Sequence, residues 1–531
     1  MATVDQYMRA PQPAQIPTVS RPESTYHSLT TFNLPTGGDR KYSTQFADLY
    51  FARLALLKRH VEATVHAAWK DFDLDGERAT AVERVLDVRQ GELSWVIGTI
   101  FMDMKLKPNI LDDIIKEAFI IAPPPRETYR NGDKGDRIVI EDESGRLPIT
   151  GKFLHEFLLC TGCIVGILGT ENKNGEFEVI DIKPADLPAQ PPRWNLHNLS
   201  LKEAGEKPIK AKKAKGKIAI VSGLAMDGHF SDVLLLDMLQ EYLLGETGGA
   251  QESSQISRLI IAGNSFADMA PIPTREVMMK NGSKSFSAEP NTWNADPTEE
   301  VDDFLASLLP TLPITLLPGV SDPTSVSMPQ PALHSAMFSK SRLFIRHPTE
   351  PENALSWFDS VSNPWDGEID GWKVLATGGQ PVNDMNKYVN GGNRLDMMES
   401  ILRWRNVAPT APDTLWTYPY DTDDPFVLRE CPHLYIVGDQ PQFQTRTITG
   451  PSGQSVRLVA VPSFRKTGTL VLVDGETLEV STVQFAIASE HKKQRNAQRS
   501  VSAQNTPKRK PRPKPNTPKN MPKRNGATKR V

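Results

Sequence analysis

Residues 316–334 read LLPGVSDPTSVSMPQPALH, and this stretch contains the transition that decides the fold. An apolar run ends in Pro318 and Gly319, and Asp322 and Pro323 follow closely. Because proline and glycine interrupt regular structure, and because proline lacks a backbone donor, we predict a strand that ends in a loop. In α/β folds, functional sites lie at the carboxyl ends of strands. The residues that follow the other predicted strands therefore decide which kind of site the chain carries.

Further apolar runs and helical patterns surround this stretch and predict a domain over residues 217–488. Strands that are buried on both faces are largely continuous apolar runs, whereas covering helices have apolar residues at three- and four-residue steps. The predicted strands are Lys217–Leu224, Arg258–Gly263, Ile314–Leu317, Trp372–Ala376, His433–Val437, Arg457–Val461 and Thr469–Asp474, and the predicted helices are Phe230–Leu244, Thr298–Leu308 and Asn393–Val407. We expect a sandwich of sheets with flanking helices, which makes the predicted fold class mixed α+β.

Residues 43–200 show a different pattern, which predicts one helix followed by a small β-barrel. In Ser43–Trp69 the apolar residues recur at helical steps, and Ser43 is the expected N-cap. The predicted barrel strands are Leu93–Met104, Arg137–Glu141, Phe157–Leu168 and Phe177–Ile182, and a helix-like stretch, Ile110–Ile120, interrupts them. Short strands of this number with an inserted helix match an OB-fold best.

The charge of the chain is divided unevenly between a body and a tail. Residues 491–531 contain 14 of the 61 Lys and Arg residues and none of the 64 Asp and Glu residues. Residues 1–490 therefore carry a net charge of −17, because 47 basic residues face 64 acidic ones. Segments without apolar periodicity cannot bury a core. We predict a flexible N-terminal arm (1–42), a lysine-rich connector (201–216) and a disordered basic tail (489–531).

Cysteine content and hydropathy predict a soluble intracellular protein. Three cysteines, Cys160, Cys163 and Cys431, are too few for a disulfide framework. The Cys-x-x-Cys pair lies in an apolar β run, and zinc would need four ligands, so ordinary buried cysteines are expected. No apolar stretch reaches the ~20 residues that span a bilayer, and the start of the chain lacks a basic-then-apolar signal pattern.

The acidity of the barrel bears on nucleic-acid binding. OB-folds can bind single strands through a basic groove with stacking aromatic residues. Residues 93–186, however, contain 11 Lys and Arg against 16 Asp and Glu, a net charge of −5. Since phosphate contacts supply most non-specific affinity, we expect a barrel that docks proteins. A single-strand DNA-binding OB protein is kept as an alternative.

Several motifs occur in the order and at the spacing of a known family. They are IVSGL (220–224), LIIAGNSF (259–266), LPGVSDPTSVSMPQPALH (317–334), APTAPDTLWTYPY (408–420), ECPHLYIVGDQPQF (430–443) and LVAVPSF (458–464), with RIVIEDESGR (137–146) and TGCIVGILGTENKNGEFEVIDI (161–182) in the barrel region. Over about residues 43–488 the chain resembles the small (B) subunits of replicative DNA polymerases, most closely those of DNA polymerase delta. The resemblance implies an OB-fold followed by a calcineurin-like phosphoesterase domain that has lost its activity.

The implied loss of activity can be followed position by position. Active phosphoesterases hold two metal ions with carboxylates, an Asn and several His, and the metals activate a water. Their ligands stand in Asp-x-His, Gly-Asp, Gly-Asn-His-Asp/Glu and Gly-His-x-His after successive strands. The corresponding residues here are Ser222 and Leu224, then Gly263 and Asn264, then Gly319, Val320, Ser321 and Asp322, and finally Gly438, Asp439 and Pro441. The resemblance therefore implies no catalytic residue, no metal and no cofactor.

One literal match keeps an active metal-dependent phosphoesterase or nuclease open as an alternative. Asp227-Gly228-His229 fits Asp-x-His, but it lies beyond the predicted strand end and before a helix, where an Asp has an ordinary role. His334 and His433 lie beside predicted strand ends and are expected to be structural. No Gly-x-Ser-x-Gly elbow supports nucleophilic catalysis.

The tail contains a basic cluster, PKRKPRPKP, at residues 507–515. Its charged residues are Lys508, Arg509, Lys510, Arg512 and Lys514. Such clusters act in nuclear localisation or in contacts with nucleic acid. We expect nuclear import, with weak or indirect DNA contact in addition, and a merely solvated tail is the alternative.

The resemblance also implies a function and partners. The expected function is that of a non-catalytic accessory subunit, a scaffold in DNA replication and repair in the nucleus. Its implied partners are the cysteine-rich, metal-binding C-terminal domain of the catalytic subunit and a third, clamp-binding subunit. A translesion polymerase catalytic subunit is a further implied partner, and no membrane contact is expected. The loops Ser325–Pro331 and Asn363–Ile369 are the candidate docking loops.

Overall fold

The structure is a computed structural model that describes residues 19–35, 37–41, 43–108, 126–131, 135–203, 214, 216–228, 233–247, 249–268, 295–346, 356–389, 391–421 and 423–487. The described residues up to Phe485 belong to one compact unit. The predicted helix Ile110–Ile120, the predicted tail 489–531 and most of the connector 201–216 lie outside the described residues. Among the helices that are described, none has the length and apolar character needed to cross a membrane.

Residues 19–35, which we call the strap, differ from the predicted flexible arm because they pack against later parts of the chain. Strand β1 (Tyr26–Ser28) pairs antiparallel with residues 367–369. The Thr25 N–H donates to the Asp370 carboxylate at 3.0 Å, and Phe32 is buried. The strap is held by residues that are distant in sequence, so a local pattern did not predict it.

Helix α1 (Phe46–Trp69) confirms the predicted N-terminal helix, although its N-cap is Gln45 and not Ser43. The Asp48 carboxylate accepts a hydrogen bond from the Gln45 N–H at 3.3 Å, which fixes the first turn at this position. The face that packs on the barrel consists of Leu54, Leu57, Val61, Val65 and Trp69.

The barrel follows α1 and closes as a ring of five strands. After a hairpin of β2 (Asp73–Leu74) and β3 (Glu77–Arg78), its strands are β4 (Thr80–Ala81), β5 (Leu93–Asp103), β6 (Arg137–Glu141), β7 (Arg146–Thr150), β8 (Ile164–Glu171) and β9 (Phe177–Lys183). The ring closes because the long strand β5 pairs with both β6 and β8, while β4 is attached at its edge. The predicted strand Phe157–Leu168 begins too early, because a turn with Gly162 at φ +90° precedes β8. Strand β7 was not predicted.

Two six-stranded sheets form the rest of the unit. Their strands are β10 (Lys217–Val221), β11 (Ile256–Ala262), β12 (Ile314–Leu317), β13 (Phe358–Ser360), β14 (Trp365–Ile369), β15 (Trp372–Thr377), β16 (Leu434–Gln440), β17 (Gln444–Thr449), β18 (Ser455–Pro462), β19 (Thr469–Asp474) and β20 (Val480–Gln484). The first sheet has the order β1-β14-β15-β16-β18-β17, and the second has the order β13-β12-β11-β10-β19-β20. Parallel pairings join β15, β16 and β18 in the first sheet and β10 to β13 in the second.

The described part of the chain contains seven further α-helices. They are α2 (Asn195–Glu203), α3 (Leu234–Leu244), α4 (Ala250–Ser253), α5 (Asp296–Leu308), α6 (Gln380–Tyr388), α7 (Arg394–Arg403) and α8 (Phe464–Thr467). Three of them, α3, α5 and α7, confirm predicted helices with altered ends. Helix α7 ends before the predicted Val407 because Arg405 has a left-handed φ of +55°.

Alternation along β10 shows how the layers are arranged. Ile218 and Ile220 pack between the two sheets, whereas Ala219 and Val221 face the layer of α3 and α5. The outer face of the first sheet shares one core with α6, α7 and the barrel. The predicted mixed α+β class is confirmed, and the barrel and the double sheet are packed together as one body.

A buried ion pair ties α1 to the double-sheet part. Arg53 is 3% exposed, and its guanidinium donates to the Asp424 carboxylate at 2.6 Å. The same group donates to Ala411 O at 2.6 Å. Because these groups are removed from water, the helix and the 408–411 loop are held in one arrangement.

Candidate functional site

The carboxyl ends of β10, β11, β12 and β16 meet between the two sheets. The Ser222 hydroxyl, after β10, donates to Ala262 O at 2.7 Å and accepts from the Asp439 N–H at 2.9 Å. After β11, Asn264 Oδ1 accepts a hydrogen bond from the Ser321 N–H at 3.2 Å. The structure therefore brings together predicted positions from all four strand ends, and we call this place the junction.

Glycines allow the strand ends to come close at the junction. A Cβ on Gly438 would lie 2.0 Å from Ala262 O, and a Cβ on Gly319 would lie 2.2 Å from Asn264 Oδ1. Gly263 has a φ of +83°, which favours glycine. Backbone atoms therefore pack against one another where side chains would otherwise stand.

Asp322 is the buried carboxylate at the centre of the junction. Its oxygens accept backbone hydrogen bonds from Asn264 at 2.9 Å, from Phe266 at 2.9 Å and from Gly319 at 2.6 Å. Burial raises the pKa of Asp322 to about 6, and the hydrogen bonds oppose this rise without cancelling it. The carboxylate thus joins the ends of β11 and β12 through their backbone.

Asp439 has a left-handed backbone conformation, with φ +51°, and its side chain accepts a hydrogen bond. The Asn383 amide on α6 donates to its carboxylate at 3.1 Å. Burial raises the pKa of Asp439, while the positive charge of Lys466 and the Asn264 and Asn383 amides lower it.

A cluster of three carboxamides, which the sequence reasoning missed, completes the junction. The Asn363 amide donates to Gln330 Oε1 at 2.8 Å and to Gln380 Oε1 at 2.9 Å, and Gln380 donates to Gln330 Oε1 at 2.8 Å. The Gly378 N–H donates to Asn363 Oδ1 at 2.9 Å. A signal was available, because Asn363 and Gln380 each precede a proline, and Gln380 follows the predicted strand Trp372–Ala376. The predicted docking loop Asn363–Ile369 is in fact mostly strand β14, which is buried. The cluster is neutral, and its members bond to one another and to the backbone of Gly319, Ser325 and Gly378.

Three of the predicted positions do not join this network. Leu224 is buried in the layer of α3 and α5, where it packs as an apolar residue. Val320 is 58% exposed, and Pro441 is exposed as well. The four strand ends therefore converge, but these side chains point away from the place where they meet.

The literal Asp-x-His match is only partly described, because His229 lies outside the described residues. The Gly228 N–H donates to the Glu300 carboxylate on α5 at 2.8 Å, so the segment is fixed to a helix. Within the described part of the chain, no three His, Cys, Asp or Glu residues are grouped as metal ligands.

The cysteines and the two singled-out histidines have structural surroundings. All three cysteines are buried free thiols, and burial raises the pKa of Cys160. His433 Nδ1 accepts a hydrogen bond from the Lys373 N–H at 3.1 Å, and burial lowers its pKa to about 4. His334 Nδ1 accepts from the Ala336 N–H at 3.1 Å and caps a short helical turn.

Two family models match the chain, and each covers one of the two parts described above. The model for the B subunits of DNA polymerases alpha and epsilon matches residues 218–445, which comprise most of the double sheet. The model for the OB-fold domain of the DNA polymerase delta subunit matches residues 45–182, which comprise α1 and the barrel. Together the two matches define the class of protein, the small accessory subunits of DNA polymerases.

Similar whole proteins narrow this class. The DNA polymerase delta small subunit of Saccharomyces cerevisiae is 35% identical over 477 residues, 84% of this chain and 91% of the yeast protein. The DNA polymerase delta subunit 2 of Drosophila melanogaster is 32% identical over 89% of this chain and 100% of its own length. The chain belongs to the family of DNA polymerase delta small subunits, which confirms the resemblance seen in the sequence.

A solved structure, that of a hypothetical protein from Pyrococcus horikoshii OT3, aligns with 54% of this chain and 94% of its own. Its sequence identity is 15% and its TM-score is 0.27.

Proposed function

We propose that the chain is a non-catalytic accessory subunit of DNA polymerase delta, which acts as a scaffold in DNA replication and repair. The observation that carries this proposal is the similarity to small subunits of polymerase delta along most of both chains. In this role it bridges the cysteine-rich C-terminal domain of the catalytic subunit and a third, clamp-binding subunit. Use by a translesion polymerase is part of the same proposal, and DNA contact is weak or indirect.

We also infer that the double sheet is a calcineurin-like phosphoesterase domain without phosphoesterase activity. A binuclear site needs carboxylates and imidazoles that are free to bind two metals. At the junction, the Asp322 carboxylate accepts three backbone hydrogen bonds, and Asn264 is an amide where a bridging carboxylate would be needed. Close glycine packing at Gly319 and Gly438 further reduces the space for ions. These observations support a rigid platform whose function lies in its surfaces.

A pull-down tests the accessory role. The tagged full chain is incubated with nuclear extract at ~0.3 M salt, where the Debye length is roughly 5–6 Å and charge contacts of the basic tail are weakened. We expect a B-family polymerase catalytic chain in near-equal amount. Recovery of the chain alone would contradict the proposal.

The phosphoesterase alternative predicts bound metal and hydrolysis in the purified full chain. Elemental analysis and a phosphodiester assay, with Asp227→Ala as the inactivated reference, measure both. We expect neither stoichiometric metal nor a rate that depends on Asp227.

The single-strand alternative predicts salt-sensitive oligonucleotide binding by the barrel. The chain without residues 489–531 removes the basic tail from the measurement. We expect no binding by this variant at low salt, because the barrel region has a net charge of −5 between residues 93 and 186. Tight binding would favour the alternative.

Nuclear import is proposed for the basic cluster in the tail. Replacement of Lys508, Arg509, Lys510, Arg512 and Lys514 by Gln should move a fluorescent fusion from the nucleus to the cytoplasm. A matched control replaces five basic residues outside the cluster by Gln, namely Lys492, Lys493, Arg495, Arg499 and Lys523. Unchanged nuclear fluorescence in the first variant would assign import to another segment or to a partner.

A further inference from the structure

An apolar groove lies where α1, the barrel and the 408–413 loop come together. Its volume is about 450 Å³, and Phe46, Phe51, Phe101 and Pro412 are among its lining residues. Phe46 and Phe51 are 49% and 47% exposed, although both are large apolar side chains on a helix where neighbouring apolar residues such as Leu49 and Leu54 are buried. Exposed apolar patches of this kind mark interaction sites in soluble proteins.

The walls of the groove are held by buried contacts. Arg53 of α1 donates to Ala411 O at 2.6 Å, so the helix fixes the loop that forms the facing wall. A Cβ on Gly162 would lie 1.9 Å from Pro409 O, which shows how closely the barrel approaches the same loop. A groove whose walls are already in place loses little conformational entropy when a partner binds.

The charge of the groove indicates what kind of segment fits it. Its lining contains three carboxylates, Glu141, Asp142 and Asp413, and one cation, Arg146. Tyr50 and Arg146 bond to Glu141, and Lys107 bonds to Asp413 at 2.5 Å, so these side chains are oriented by internal contacts. With Lys107 counted, these groups leave the groove a net charge of −1, in a body whose residues 1–490 carry a net charge of −17.

We propose that this groove binds an amphipathic helix of one partner chain in the polymerase complex, with apolar side chains in the groove and basic residues beside it. Helices that dock in this way present large apolar residues at i, i+3, i+4 and i+7 on one face. The inference rests on the proposed accessory function, because it assigns a place to one of the implied protein contacts.

The test uses the full chain co-expressed with the catalytic subunit and the third subunit. Phe51→Asp places a charge in the groove at a half-exposed position, and Leu343→Asp is the control at a residue that is 79% exposed and does not line the groove. We expect Phe51→Asp to reduce recovery of one partner at least tenfold and to leave the other unchanged. Leu343→Asp should reduce neither. Recovery of the affected partner with the wild-type chain should fall between 0.1 and 0.5 M salt, as it does for basic segments.

The outcomes separate the inference from the function on which it rests. If the wild-type chain recovers neither partner, the accessory function itself is contradicted. If both partners are recovered equally by wild type and Phe51→Asp, the groove proposal is overturned and the function stands. A lower melting temperature of free Phe51→Asp with unchanged recovery overturns it too. If Phe51→Asp does not fold, Phe51→Ala replaces it, with at least a threefold reduction expected. Salt-independent recovery of the affected partner would overturn the basic character of the helix.

Discussion

Asp322 is a carboxylate whose strongest contacts are with the backbone of its own fold. Three N–H groups from two strand ends donate to it, and burial still raises its pKa to about 6. The charged form of the Asp322 carboxylate therefore reduces the stability of the fold at neutral pH. The three hydrogen bonds offset part of this cost. Asp322 therefore has a structural role, because it links the ends of β11 and β12.

Asp322→Ala should lower the free energy of unfolding by about 3 kcal/mol at pH 5, because three buried N–H groups lose their acceptor. The folded pKa, about 6, lies above the unfolded value of 3.8, so the contribution of Asp322 falls as the pH rises through 6. The loss should thus be about 1 kcal/mol smaller at pH 7. Urea unfolding of the wild-type chain and of Asp322→Ala at both pH values measures this loss. Asp303→Ala, at an exposed residue, is the control. A loss of unfolding free energy no larger than that of the control would contradict the structural role of Asp322.

His433 has the opposite sign of pH dependence. Burial, and then the positive charges of Arg193 and Lys373, lower its folded pKa to about 4, below the unfolded value of 6.5. Its contribution to stability is therefore complete above pH 6.5 and is lost as the pH falls toward 4. Between pH 7 and pH 5 the loss should be about 2 kcal/mol.

His433→Asn keeps an acceptor for the Lys373 N–H and removes the titration. Its unfolding free energy should change less between pH 7 and pH 5 than that of wild type. The exposed His66→Asn provides the comparison. Equal pH slopes for wild type and His433→Asn would show that His433 is not the responsible group.

At the scale of elements, the junction depends on how closely strand ends approach one another. Gly319→Ala and Gly438→Ala should each lower the free energy of unfolding by about 3 kcal/mol, because the added methyl meets atoms at 2.2 Å and 2.0 Å. Gly38→Ala is the control, since a Cβ there has no atom within 4 Å. Chemical unfolding of the three variants tests this. A cost near that of Gly38→Ala would mean that the strand ends can separate without penalty.

The buried pair of Arg53 and Asp424 holds α1 to the double-sheet part. Arg53→Met should cost about 3–5 kcal/mol, because it leaves the Asp424 carboxylate charged and without its cation in the core. The double variant Arg53→Met with Asp424→Leu should cost less than the sum of the two single changes. Arg78→Met, at a solvent-exposed ion pair with Asp71, is the control and should cost less than about 1 kcal/mol. An additive double variant would mean that the two side chains do not interact.

Elements with local signals were predictable from the sequence, and those with distant partners were not. Helix α1 and strands β5, β6, β12 and β19 have continuous apolar patterns, and their predicted bounds agree closely with the structure. Strand β1 and helix α6 lack such patterns, since their stability comes from residues far along the chain. The candidate site divides in the same way. Strand-end residues such as Asn264 and Asp322 were found by position, whereas the carboxamide cluster depends on tertiary contacts among Gln330, Asn363 and Gln380.

At the scale of the whole molecule, the strap connects layers that are far apart. The Arg21 guanidinium donates to Leu243 O at the end of α3, Tyr26 stacks on Trp365 in the first sheet, and Phe32 enters the core shared with the barrel. Loss of these contacts should expose apolar surface in several layers at once.

A chain that begins at residue 36 should therefore melt several degrees lower than one that begins at residue 19. The removed strap includes buried Phe32, whose loss alone is worth about 3 kcal/mol. Calorimetry of the two truncated chains measures the difference. Equal melting temperatures would contradict a stabilising strap.

The pairing of the strap also has a consequence for synthesis in the cell. Thr25 and Asp370, which are hydrogen-bonded, are separated by 345 residues. At about 5–20 residues per second, the ribosome needs on the order of 20–70 s to produce the second partner after the first. Throughout that interval Tyr26 and Phe32 have emerged while their binding places do not yet exist. The strap, which leaves the ribosome well before its partners, is thus among the last segments to become fixed, and its own unpaired strand stays open to other strands until then.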